Sequence, residues 1–274
     1  MNALEIPFRF EHHLLVFEGR LQKGQTVTLT LDTFAWPHVL RTELGQAQNW
    51  LTGHTESSEG VAGLSETQRA EIPELWLGQT VFRNLEALCD PLVGPIPFDL
   101  MLGAPLLADW VVQIDYPAKI LRLIEPECWQ PEVGAEVFEL KTFEPGLPVL
   151  HQQLRLGGET IPWALLDTGN NAALVFSAEL AKKLGLTPEG AAQGGGFGGQ
   201  EMGFSRLTLP RLELGGQIWK DLQAILLPPE ASPLLNQPDR VLLGNALFQA
   251  QVATWALPHS MWCLTSSPVL RAPC

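Results

Sequence analysis

Leu31-Asp32-Thr33 returns as Leu166-Asp167-Thr168, a shift of 135 residues, and each copy closes a run of strand-forming residues. The first run, Thr26-Val27-Thr28-Leu29-Thr30-Leu31, alternates polar and apolar side chains with period two, as a half-buried strand requires. Thr160-Ile161-Pro162-Trp163-Ala164-Leu165-Leu166 is the matching strand of the second copy. Both strands run straight into Asp-Thr, which puts a carboxylate at a strand end where a turn exposes it. Outward from this pair the likeness continues. Leu77-Gly78-Gln79 returns within Leu214-Gly215-Gly216-Gln217 at a shift of 137, and Met101-Leu102-Gly103-Ala104-Pro105-Leu106-Leu107 matches Leu242-Leu243-Gly244-Asn245-Ala246-Leu247-Phe248 at a shift of 141. Pro117 and Pro258 share the last offset. Four features in one order, with offsets drifting by a few residues, read as a tandem duplication. Between the copies, Glu125-Pro126-Glu127-Cys128-Trp129-Gln130-Pro131-Glu132-Val133-Gly134 reads as a linker. The expected organisation is a lobe over 1–125, a linker over 126–134 and a second lobe over 135–274.

The chain of 274 residues has room for two such lobes of roughly 100–150 residues. Seventeen Lys and Arg against thirty Asp and Glu give a net charge of −13, which argues against a nucleic-acid partner held through its phosphates. With 46% hydrophobic and 17% charged residues there is ample material for a core. Gly 25 and Pro 22 are too many breakers for a helical bundle and suit short strands joined by turns, so the expected class is all-β with a few short helices. The best helix runs from Ser177 to Leu184, with Ser177 as cap, Glu179 at the positive end of the dipole and Gly185 to close it. Thr42-Glu43-Leu44 occupies the equivalent place in the first lobe. Met1 to Pro7 carries no basic leader, apolar core or small-residue cleavage site, so no secretory signal is expected. Apolar runs such as Val241-Leu242-Leu243 are far below the roughly 20 residues of a membrane span. Cys89, Cys128, Cys263 and Cys274 are scattered without a C-x-x-C pair, which reads as reduced thiols in a cytoplasmic protein.

Asp167-Thr168-Gly169, after an apolar strand and before a short helix, resembles the active-site motif of aspartic proteases. Leu242-Leu243-Gly244 resembles the second element of the retropepsin-like lobe, in which a hydrophobic pair and Gly pack beside the active-site turn. Phe98-Asp99-Leu100-Met101-Leu102-Gly103 through Ile114-Asp115-Tyr116-Pro117 resembles the end of bacterial retropepsin-like domains. The likeness covers nearly the whole chain, twice. It implies two pseudo-twofold-related β-barrel lobes paired within one monomer, where viral members of the family dimerise. It further implies that Asp32 and Asp167 form a catalytic dyad around a water. Thr33 and Thr168 would brace the turns across the lobes, Gly169 would let the backbone approach closely, and Gly103 and Gly244 would pack behind the site. No cofactor is implied, and the substrate would be a peptide or protein held in extended form as an added strand.

The first copy departs from that pattern at Phe34, which stands where the motif has Gly. A Cβ and ring there should displace the turn or fill part of the cleft, with a conformational cost if the position needs φ > 0. Two readings stay open: an active site with a narrower pocket, or a degenerate protease fold that binds a peptide or protein partner without cutting. Gly194-Gly195-Gly196-Phe197-Gly198-Gly199 satisfies G-x-G-x-x-G but follows no clear strand and opens no helix, so a phosphate cradle is not expected. The resemblance suggests a mobile hairpin there, corresponding to the flap that covers substrate, with a plain flexible loop as the alternative. The polar stretch from Gly53 to Gly63 is its counterpart, so two equal flaps are not expected. The six histidines, His12, His13, His38, His54, His151 and His259, form no metal motif and read as surface or structural. The nine tryptophans read as core, Trp110, Trp163 and Trp255 within apolar strands; core packing is expected for Trp36 too, with the lining of a substrate pocket as its alternative.

Overall fold

The computed structural model describes residues 3–60, 63–92, 96–195 and 201–266. Their strands form two sheets, of eight and thirteen strands, with only short helices between them. The fold is all-β.

Within the eight-stranded sheet, Thr26–Leu31 runs parallel to Leu100–Leu102, in the register Leu29 to Leu100 and Leu31 to Leu102. His38–Arg41 pairs antiparallel with that same short strand and parallel with Thr80–Asp90. The second part of the chain has the same set of pairings. Glu159–Asp167 runs parallel to Arg240–Gly244, with Leu165 beside Leu242 and Asp167 beside Gly244. Leu174–Ser177 then pairs antiparallel with Arg240–Gly244 and parallel with Gln217–Leu227. In each case the strand that leads into Asp-Thr is hydrogen-bonded to the strand that runs into Gly103 or Gly244, so each Asp-Thr turn lies beside an apolar pair, Met101-Leu102 half-buried at Met101 and Leu242-Leu243 buried.

Alternation explains which faces are buried. Val27, Leu29 and Leu31 are all but inaccessible, as are Leu165, Leu166 and Leu243, each such side chain contributing about 1.5–3 kcal/mol on leaving water. The two parts are joined by backbone pairing as well as by side chains. Val111–Asp115 pairs antiparallel with Gln251–Ala256, Val112 opposite Trp255, within a run of strands ordered Ala3–Pro7, Ile120–Ile124, Val111–Asp115, Gln251–Ala256, Met261–Ser266 and Glu136–Phe143. Trp255 and Trp262 are fully buried there, edge to face at 6.0 Å, with Phe248 5.4 Å from Trp262. The helix Ala178–Lys183 begins at Ser177, whose hydroxyl accepts the Leu180 N–H at 3.1 Å, and Gly185 beyond it takes φ +67°. Thr42–Gln48 is the helix of the first part.

Candidate active site

Asp32 and Asp167 meet where the two Asp-Thr turns face each other. Each turn is built by its own carboxylate: Phe34 N–H donates to Asp32 Oδ1 at 2.9 Å, and Gly169 N–H donates to Asp167 Oδ1 at 2.9 Å. The turns are then locked together through their threonines. Thr33 Oγ1 donates to the Leu166 carbonyl at 2.7 Å and accepts the Thr168 N–H at 3.1 Å. Thr168 Oγ1 donates to the Leu31 carbonyl at 2.8 Å and accepts the Thr33 N–H at 3.0 Å. Both hydroxyls are buried, and each uses its one proton and a lone pair across the junction. A Ser in either place could make the bonds; a Val could not.

The two carboxyl groups hydrogen-bond each other. They retain partial contact with solvent at the base of the junction, yet the surrounding protein disfavours charge on both. Burial, then the charge of Asp32, hold the Asp167 carboxyl well above the ordinary carboxylate range. Burial also raises Asp32, but the N–H groups of Phe34, Ala35 and Gly169 and the Asp167 carboxyl donate to it and oppose the rise. Two like charges in contact cannot both persist, so the pair shares one proton. Three backbone N–H groups, of Phe34, Ala35 and Gly169, reach Asp32 and two, of Gly169 and Asn170, reach Asp167, a balance that favours the negative charge on Asp32 and the proton on Asp167.

Gly169 lies directly over Asp32: a Cβ at Gly169 would fall inside contact distance of the Asp32 carboxyl. Gly103 and Gly244 sit behind the two turns. A Cβ on Gly103 would come to 2.5 Å from the Pro37 carbonyl oxygen and 2.6 Å from that of Ala35, and Gly244 is equally confined by the carbonyls of Asn170 and Ala172. Neither Phe34 nor Gly169 takes a left-handed conformation, so the conformational cost expected for Phe34 is absent. Nor is the Asp32 turn displaced at Phe34 N–H, which makes the same bond as Gly169 N–H. The ring instead packs, half-buried, against an apolar cluster of the second part that includes Leu165, Val175 and Leu242.

Several other expectations need correction. Gly194 and Gly195 do belong to a strand, Gly190–Gly195, paired with Glu201–Leu214; Gly196, Phe197, Gly198 and Gly199 lie outside the described residues. Trp36 is 40% exposed rather than core, its ring lying 3.0 Å from where a Cβ of Gly146 would be. Trp163 and Trp110 are half-buried, and only Trp255 of the three is fully enclosed. His38, by contrast, takes the structural role that was one of its two readings: it is buried, its Nδ1 accepts the Gly103 N–H at 2.8 Å, and burial pushes its pKa down to about 4.

Sequence reasoning passed over two further groups. Asn245, fully buried, bonds Thr168 of the second turn and Tyr116 from the first part of the chain. Its signal was a polar residue after Leu-Leu-Gly where the other copy has Ala104. Glu59 stands near the end of the hairpin formed by Leu51–Gly60 and Gly63–Leu77, and its Oε1 accepts from Ser232 Oγ at 2.5 Å and from Leu234 N–H at 3.1 Å. That hairpin therefore reaches the loop between Gln217–Leu227 and Arg240–Gly244. Nothing local in the sequence announced it.

Among the described residues no three His, Cys, Asp or Glu side chains gather as metal ligands, and no helix is long and apolar enough to cross a membrane. Cys89, Cys128 and Cys263 are free thiols. Two surface hollows, of about 410 and 230 Å³, lie beside the helix Ala178–Lys183 and between Pro37 and the strands around Arg69, and neither is lined by Asp32 or Asp167.

Residues 153–247 match the family model of aspartyl proteases. That segment contains Asp167-Thr168-Gly169 and runs through Leu242-Leu243-Gly244, the strand pair that frames the second turn. Over it the chain is similar to an aspartyl protease, which points to a protease-type function. No curated protein matches the chain.

Proposed function

We propose that this chain is an aspartic endopeptidase built from two retropepsin-like copies, over 1–125 and 135–274, joined by 126–134, with Asp32 as base and Asp167 as acid. The single observation that carries the reading is the contact between two hydrogen-bonded carboxyls on turns cross-braced by Thr33 and Thr168. A water held between them loses a proton to the Asp32 carboxylate as its oxygen bonds to the scissile carbonyl carbon. The Asp167 proton passes to the carbonyl oxygen, which gives a neutral gem-diol without a free oxyanion. Breakdown reverses the roles. Asp32 delivers its proton to the amide nitrogen as the C–N bond breaks, and a gem-diol hydroxyl returns a proton to Asp167. The dyad ends as it began, and the water has been divided between the new carboxyl and amine ends.

The test is incubation of the purified protein with a denatured mixed-protein substrate from acidic to neutral pH, beside Asp32→Asn and Asp167→Asn. Cleavage lost in both variants supports the reading; cleavage that survives in both refutes it.

Phe34 favours a second reading, a relative that binds a peptide or protein in the same place without cutting. Its ring occupies apolar surface of the opposite half beside the dyad, where a substrate side chain would otherwise pack. Phe34→Gly separates the two readings: cleavage that rises or first emerges in the variant assigns the ring an obstructive role in a competent enzyme. Persistent inactivity with peptide binding retained supports the non-cutting relative.

A further inference from the structure

We propose that Tyr116 and Asn245 are positioning residues that act on the dyad through one unbroken line of hydrogen bonds, strengthening the Gly169 N–H that the two carboxyls share. The inference rests on reading Asp32 and Asp167 as the working pair, but concerns two residues that reading does not use.

Asn245 is fully buried and uses both ends of its amide. Its Oδ1 accepts from Tyr116 Oη at 2.6 Å, and its Nδ2 donates to the Thr168 carbonyl. A carbonyl oxygen can only accept, so the amide end facing Thr168 must be the nitrogen. The Asn245 backbone N–H also donates to the Asn170 carbonyl at 3.1 Å, so the turn is gripped at two points. The Thr168 carbonyl and the Gly169 N–H are the two ends of one peptide unit. That N–H donates to Asp167 Oδ1 at 2.9 Å and also serves Asp32. When a peptide carbonyl accepts a hydrogen bond, its N–H becomes a stronger donor, because the unit polarises as a whole. The line therefore runs Tyr116 hydroxyl, Asn245 amide, Thr168–Gly169 peptide, carboxylate.

Its anchor is rigid. Tyr116 is buried at the end of Val111–Asp115, with Phe8 and Phe10 edge-on to its ring at 6.4 and 5.6 Å, and its N–H bonds the Gln251 carbonyl at 3.3 Å. Burial keeps the phenol protonated far above its usual range, so it remains a donor at every pH of interest. The first half has no equivalent, since Ala104 stands in the place of Asn245 and has no side-chain donor. The titratable groups facing the dyad are the aspartates themselves; His38 lies behind the Asp32 turn on Gly103, and Tyr116 at the far end of the line.

Tyr116→Phe keeps the ring and removes one donor; Asn245→Leu keeps the branched skeleton, at some added bulk, and removes both amide ends. Titration of the Asp32 and Asp167 side-chain carbons by carbon-13 NMR, assigned with Asp32→Asn and Asp167→Asn, reads the dyad directly. We expect the lower ionisation midpoint to rise by about half a pH unit in Tyr116→Phe and by about one unit in Asn245→Leu. The acid limb of the cleavage profile should move with it, at unchanged KM. Midpoints that stay put while thermal stability falls would mean packing alone and overturn the proposal, as would a downward shift. If Asn245→Leu does not fold, Tyr116→Phe decides. The NMR readout needs no turnover: a protein that titrates as expected but never cleaves refutes the endopeptidase reading alone, and one that cleaves without the shift refutes this inference alone.

Discussion

Acidification sets the dyad against His38. The imidazole is 3% exposed, and its Nδ1 is the acceptor for Gly103 N–H at 2.8 Å, so the ring is held neutral with its proton on Nε2. Protonating Nδ1 would turn an N–H toward another N–H in a space closed by the Ala35 and Pro37 carbonyls around Gly103. Burial accordingly lowers the His38 pKa from 6.5 to about 4. A folded-state pKa below the unfolded one means that the unfolded chain binds the proton first, so stability falls as pH falls. The contribution is intact above pH 6.5, drains between there and about 4, and is constant below. At about 1.36 kcal/mol per pH unit, the full loss is about 3 kcal/mol, a large share of a typical 5–15 kcal/mol. Urea unfolding at pH 7 and 4.5 measures it, beside His38→Asn, whose Oδ1 can take the Gly103 N–H without titrating. The variant begins less stable for want of the ring, but should lose about 2–3 kcal/mol less than the parent on acidification. The dyad slopes the other way: raised carboxyl pKa values stabilise the fold as pH falls, and because both proteins share them, they cancel in the comparison. Equal losses in the two proteins would refute the assignment of His38 as the acid-sensitive group.

Other perturbations isolate single parts of the site. Thr33→Val leaves the Leu166 carbonyl and the Thr168 N–H without partners, and should cost about 2–4 kcal/mol in chemical denaturation. Gly169→Ala puts a methyl on the Asp32 carboxyl, so cleavage should fall at least about 100-fold with the fold retained by circular dichroism. Glu59→Ala removes the acceptor shared by Ser232 and Leu234; amide exchange through Leu51–Gly60 should quicken about tenfold, the equivalent of one or two modest hydrogen bonds. On the proposed roles Asp32→Asn should be the more damaging of the two dyad variants. It removes the base, whereas Asp167→Asn leaves a neutral donor in the acid's place; residual cleavage of both under identical conditions ranks them.

What the sequence made legible was local. Alternation in Thr26–Leu31, apolarity before Asp167 and a hydroxyl ahead of Glu179 each act within a few residues, and so do the strand ends and cap they specify. The Asp, Thr and Gly positions drew attention because the two halves of the chain carry the same short stretches. The Gly-rich strand was missed for a related reason. Gly190-Ala191-Ala192-Gln193-Gly194-Gly195 has almost no side chains to alternate, and its strand is held by backbone pairing, with Phe204 packed over Gly194. Tyr116 and Asn245 are 129 residues apart, and Glu59 and Ser232 are 173 apart. Such contacts exist only once the sheets have formed, and no spacing rule reaches them. His38 was read as surface or structural from its isolation, and only its burial beside Gly103 gives it a titration worth measuring.

The differences between the two halves of the chain carry as much chemical weight as their likeness. Two identical chains would place equal donors around each aspartate, and the shared proton would divide its time equally between them. Here Gly169 serves both carboxyls, Phe34 replaces its counterpart, Asn245 grips one turn where Ala104 leaves the other, and His38 backs only the Asp32 side. Each difference favours charge on one aspartate over the other or stiffens one turn against its partner. On the proposed mechanism a single chain can therefore begin with its base and acid already distinguished, a distinction that a symmetric pair acquires only when an asymmetric substrate enters. On this view Phe34 is one more asymmetric element: its ring packs on the apolar cluster of the second part, while Gly169 at the matching place leaves room for the Asp32 carboxyl.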